Sequence, residues 1–175
     1  DYITLKGEKS EDGWVRTENF NVGSRIKLMD NSNTDVILIK DAADRWGLEN
    51  LIIDGNKENQ TLAGSHCVKL DAKRHTVQPT NDSPQDRSFG GVIKGCLLVN
   101  PVEFAYYGIN SQSMNITETS FMSGIFITNS ADVNITACNL DGTNGKHPAL
   151  YLNKVDSCNL SNNFTWGWGE QLKGL

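Results

Sequence analysis

The chain has 175 residues and a net charge of −5, with 38% hydrophobic and 21% charged residues. That length suits one domain with a sizeable core, and the composition is neither that of a disordered chain nor of a membrane-spanning one. The acidic balance, with no stripe of arginine and lysine, argues against nucleic-acid binding, which needs a basic face.

In chain order, strand-like sequence begins at once with ITLKGE (3–8), and Arg25-Ile26-Lys27 follows. No signal peptide stands at Asp1-Tyr2-Ile3-Thr4, although a mature or excised piece would look the same. ENLIIDGN (49–56) opens a repeat, with Leu51 as its aliphatic anchor and Asn50 before it. CVKLD (67–71) is the strand preceding the next anchor, with Asp71 where later units carry asparagine. The stretch 73–91, KRHTVQPTNDSPQDRSFGG, is polar and bears Pro and Gly, so it reads as an inserted loop. Its Arg74, Asp82, Asp86 and Arg87 suit an interface arm.

VIKGCLL supplies anchor Ile93 and, five residues on, Leu98. YGINSQSMNITETSF (107–121) supplies Ile116 and Phe121, and GIFITNSADVNITACNLDG (124–142) supplies Ile135 and Leu140. ALYLNKVDSCNLSNNF (149–164) supplies Leu160 and, four residues on, Phe164. Asn115, Asn134 and Asn159 precede the last three anchors, and Asn110, Asn129 and Asn153 close the strands before them.

Successive anchors are spaced 42, 23, 19 and 25 residues, a unit size that solenoids use. Apolar residues alternate within each unit, as in Val133-Asn134-Ile135, so one face points inward. Asparagine at a fixed corner tolerates the left-handed backbone of a sharp bend, and stacked amides can bond along a column. The expected fold is therefore an all-β, single-stranded parallel β-helix over 1–175, with its coils most regular from about 48 to 164. Asn115, Asn134 and Asn159 are then rungs of that coil, not glycan acceptors. A β-sandwich also has short alternating strands, but it does not repeat these offsets from unit to unit. A leucine-rich repeat lacks its framework here.

ITLKGE, GLENLIIDGN and the three coils together resemble the pectin-lyase-like right-handed β-helix superfamily from about Ile3 to Phe164. Within it, the likeness is to phage tail spikes and appendages and to pectate-lyase-like domains. The resemblance implies a homotrimer, associated with other virion proteins, that binds and often cuts bacterial surface polysaccharide. It also implies a place in the virion tail or outside the cell, after folding in the bacterial cytoplasm. Two alternatives stay open: a secreted polysaccharide lyase or glycoside hydrolase, and a trimeric shaft without a ligand.

The family's catalytic blocks do not carry over. There is no Gly-His-Gly and no Asp-Asp pair, and Arg25-Ile26-Lys27 lies before the coils instead of after the other blocks. No calcium-binding carboxylate cluster is visible. Whether the chain is an enzyme is left open, and the unclosed first and last strands suggest a segment of a longer polypeptide.

Cys67, Cys96, Cys138 and Cys158 read as free and mostly buried thiols, in keeping with a reducing compartment. No C-x-x-C or H-x-x-x-H spacing suggests a metal, and no cofactor is expected. Loops 55–65, 100–106, 122–124, 141–148 and 165–168 share one corner of the coil. The short middle loop between longer neighbours predicts a notch, walled by Tyr106, Tyr107, His147, Trp166 and Trp168.

Sugar rings pack on aromatic faces while carboxylates bind hydroxyls. Glu103, Glu118 and Asp141 are the nearest acids, with Glu118 and Asp141 the candidate catalytic pair. Plainer roles stand beside these: one of Tyr106 and Tyr107 in the core, Trp166 and Trp168 covering a coil or subunit interface, and His147 solvated in its loop.

Overall fold

A computed structural model describes residues 3–8, 24–40, 43–72, 88–142 and 147–166. Its strands are short because left-handed corners interrupt them. Asn50, Gly95, Glu118, Ala137 and Asn162 all have φ between 50° and 61° and follow one another in hydrogen-bonded register. A second corner uses residues three apart, at Asn110 and Ser113, Asn129 and Asp132, and Lys154 and Ser157. A third uses Asn56 and Asn100. Asparagine reaches this conformation at least cost among non-glycine residues, which is why it recurs at the bends.

Between these corners the chain lays strands in a fixed order on two curled sheets. The six-stranded sheet stacks β2 (Ser24–Lys27), β5 (Leu51–Asp54), β9 (Leu97–Val99), β13 (Ser120–Phe121), β15 (Asn139–Asp141) and β17 (Phe164–Trp166). The eleven-stranded sheet has two columns. One holds β1 (Ile3–Lys6), β4 (Trp46–Glu49), β8 (Val92–Lys94) and β12 (Asn115–Thr117); the other holds β3 (Ile37–Lys40), β6 (Val68–Asp71) and β10 (Tyr106–Ile109). The long strands β14 (Ile125–Thr136) and β16 (Leu150–Ser161) run round the corner and join the columns. At that corner lie β7 (Ser88–Phe89) and β11 (Ser111–Gln112). The pairings are all parallel, and the described residues contain no α-helix, only a 3-10 turn at Lys57–Asn59. All-β sheets of this kind are compatible with a parallel β-helix.

The column Ile93, Ile116, Ile135, Leu160 is in register as the repeat predicts. It continues to Leu48, however, and not to Leu51. Asn50 stands at a corner, so Leu51 already belongs to the next strand, and Ile53 takes the place opposite Leu98. The same Asn-aliphatic dipeptide serves a corner in one unit and a strand interior in others.

Phe164 also departs from its expected place. It pairs with Asn139 while Thr165 pairs with Leu140, so alternation turns the Phe164 ring outward, 59% exposed. Asn153 pairs with Thr128, leaving Lys154 at the left-handed corner expected for asparagine. Asp71 pairs with Ile109, one place short of Asn110. Of the expected insertion 73–91, the end is ordered as β7, which pairs with β11. Residues 73–87, with Arg74, Asp82, Asp86 and Arg87, lie outside the described residues.

The core lies between the sheets, with Ile53, Leu98, Phe121 and Leu140 from one facing Leu48, Ile93, Ile116 and Ile135 from the other. Tyr106 is fully buried there, and Gly108 makes room for it: a Cβ on Gly108 would stand 2.7 Å from the tyrosine oxygen. Outside, Asn134 donates to Asn115 at 3.2 Å and Asn159 donates to Asn134 at 2.8 Å. Asn129 donates in the same way to Asn110. These amides hydrogen-bond one another, strand over strand, as the rungs were expected to.

All four cysteines are free, with Cys67, Cys96 and Cys138 buried and Cys158 exposed. Burial pushes the Cys96 thiol up to about 11, so it stays protonated and unreactive near neutrality.

Candidate functional site

Because the strands of the six-stranded sheet are stacked in register, the loops leaving them emerge at one corner. After β13 the loop is only Met122–Gly124, while those after β9 and β15 are longer. The two longer loops meet above the short one. His147 Nε2 lies 2.7 Å from Glu103 Oε2, and the His147 ring stacks on Phe104 with centroids 4.1 Å apart. The expected notch over Met122–Gly124 is therefore spanned: loop lengths indicated its depth, but not that its two rims carry complementary side chains.

Gly124 permits this span. A Cβ there would stand 2.4 Å from the Pro148 carbonyl oxygen, 3.2 Å from His147 Cβ and 3.3 Å from Phe104 Cδ1. Gly124→Ala should force the upper loop outward and cost about 1–3 kcal/mol, the usual penalty of overpacking. Urea unfolding checks the stability, and a solvent-like NMR signature for the His147 ring should accompany the loss. An unchanged ring would refute the steric account.

Beside the span, the outward Tyr107, Phe126 and Tyr151 of the eleven-stranded sheet form an aromatic row, which the buried His66, two residues before β6, extends at one end. His66, Tyr107, Phe126 and Tyr151 stack in sequence with centroids 4.8, 4.8 and 4.9 Å apart and ring planes within 8° of parallel. Strand spacing is itself about 4.8 Å, so in-register aromatics on neighbouring parallel strands stack face to face. The faces of Tyr107 and Phe126 are thereby covered, and their rims point outward. Tyr151 is 42% exposed, and Lys69 Nζ lies 5.9 Å from the Tyr107 centroid.

His66 ties the row to the span. Its Nδ1 accepts the Phe104 amide proton at 3.2 Å, and its own amide donates to Asp35 Oδ1 at 2.9 Å. Burial lowers its pKa below the usual value, outweighing Asp35, and Lys69 lowers it further.

Of the residues singled out from sequence, Glu103, Tyr107 and His147 come together here. Tyr106 does not: alternation sends it into the core, the plainer of the two roles open to it. Glu118 sits at a left-handed corner, φ 50°, where it shares a column with Asn50, Gly95 and Ala137. Asp141 ends β15 in the next pass of the chain. Trp166 closes β17 by pairing with Asp141, and Trp168 lies outside the described residues.

Sequence reading passed over His66, Phe104, Phe126 and Tyr151. Two of the four, Phe126 and Tyr151, could have been found by aligning YGIN, IFITN and LYLN with CVKLD, where Lys69 takes the matching outward position; His66 precedes that segment. Phe104 carries no such signal, because it comes from a loop.

Among the described residues, no three or more His, Cys, Asp or Glu side chains are grouped so as to hold a metal ion, and no helix is long and apolar enough to cross a membrane. No family model, curated protein or solved structure matches this chain.

Proposed function

We propose that this chain is a right-handed, single-stranded β-helix domain of the pectin-lyase-like kind, from a phage tail spike or related appendage, that recognises a bacterial surface polysaccharide. The observation that carries this reading is the outward row of Tyr107, Phe126 and Tyr151 beside Lys69 and the Glu103–His147 pair. A sugar polymer alternates apolar C–H faces with hydroxyls; the exposed part of the Tyr151 ring at the end of the row suits the first, and the flanking charged and amide groups suit the second. Asn153 and Thr128, bonded to each other at 3.3 Å in the next outward column, add donors and acceptors. Homotrimeric assembly with other virion proteins, in the tail or outside the cell, belongs to the same reading.

A second reading has its own support. With Leu38, which is 40% exposed, the row makes a partly apolar strip down one outer face, as a trimeric shaft would need.

The test is a panel of bacterial surface polysaccharides, with binding and product size measured together. Binding without shortening, weakened at least tenfold by Tyr151→Ala at unchanged stability, is the expected result. Shortened products would turn the reading towards a hydrolase or lyase. No binding, together with chain association that Tyr151→Ala weakens, would establish the shaft instead.

A further inference from the structure

We propose that the loop from Asn100 to Ala105 is a proton-operated latch, held by neutral His66 near neutrality and released from it in acid. This inference stands on the geometry of the loop and not on any ligand.

Two imidazoles flank Phe104 with different requirements. His66 Nδ1 accepts the Phe104 amide proton, so that nitrogen carries none and His66 is held as the Nε2–H tautomer. A proton arriving on Nδ1 would set two donors against each other and break the bond. His147 instead faces the carboxylate of Glu103, so its contact does not call for an unprotonated ring nitrogen. Acid therefore weakens the loop's tie to His66 at Phe104, only one residue along the chain from the Glu103 contact.

The groups around His66 set the balance. Asp35 and Glu103 favour its charged form, Lys69 on β6 and His147 across the span oppose it, and burial opposes it most. The Tyr107 and Phe104 rings cover it, with centroids at 4.8 and 5.9 Å. A histidine whose folded pKa is lowered contributes stability that is fully present above its unfolded value, about 6.5, and is lost as pH falls towards the folded one. Release of the latch is thus expected below about pH 6.5.

Hydrogen exchange of the Phe104 amide in the full chain, corrected for intrinsic rate, tests this between pH 7.5 and 5. Protection should fall by up to about tenfold per pH unit below about 6.5. The Asn134 amide, bonded to Met114 O at 2.8 Å in the sheet, should hold its protection and so exclude global unfolding. His66→Asn keeps an acceptor oxygen near the position of Nδ1 and does not titrate, so its profile should be flat. In the unsubstituted chain the ¹⁵N signal of His66 Nδ1 should change from unprotonated to protonated in step with the loss. A flat profile in that chain, or the same slope in His66→Asn, would overturn the latch.

Discussion

Phe121→Ala should lower stability by about 3–5 kcal/mol, read as a drop in the urea midpoint at unchanged slope. Phe121 is fully buried in the column of Ile53, Leu98 and Leu140, with sheet hydrogen bonds holding the strands above and below at a fixed spacing. Neighbouring strands cannot close on the cavity without breaking those bonds, so the site relaxes little and the cost falls high in the range. Phe164→Ala is the matching control. The repeat aligns Phe164 with Phe121, but its ring is 59% exposed, and its loss should cost less than about 1 kcal/mol. Equal losses at the two positions would show that Phe164 occupies the core and that the pairing of β15 with β17 is shifted by one residue.

Arg25→Met should also be damaging, by about 1–3 kcal/mol, because the guanidinium is 35% exposed while its partner is buried. Arg25 Nη2 lies 2.5 Å from Asp54 Oδ2, and the Asp54 side chain is only 3% exposed. The other oxygen of Asp54 accepts the Asn56 amide at 2.9 Å and the Asn100 side chain at 3.2 Å, so the carboxylate anchors a left-handed corner on two successive passes. Without the guanidinium, a buried negative charge is left with two neutral donors. Adding Asp54→Asn to Arg25→Met should recover at least half of the loss, because it removes the charge itself. If the single variant is as stable as the parent, water replaces the arginine and the ion pair is not what holds the corner. Arg25-Ile26-Lys27, compared above with a catalytic block, has in this fold a structural partner for its arginine.

Much of this architecture can be read from spacing. Alternation along a strand and recurrence between units are both local properties, so Ile93, Ile116, Ile135 and Leu160 stack as their spacing requires. The asparagine rungs are legible for the same reason, since a side-chain amide in register with its copy has a ready hydrogen-bond partner. Errors came where one dipeptide has two uses. Asn50-Leu51 looks like Asn134-Ile135, yet one is a bend and the other a strand interior, and only the backbone angle distinguishes them.

The candidate site was legible in part. Glu103, Tyr107 and His147 were drawn to one corner by loop position alone, since loops that follow stacked strands must emerge together. That His147 reaches Glu103 across Gly124, and that His66 holds Phe104, depends on how loops of different length fold over one another.

The sequence by itself determined the parallel stacking, the inward columns and the shared loop corner, because these follow from periodicity and from residues that tolerate a left-handed bend. Only the tertiary structure decided that the notch is spanned and that the aromatic rings cover one another. Those outcomes depend on distances between residues far apart along the chain, which no local pattern encodes.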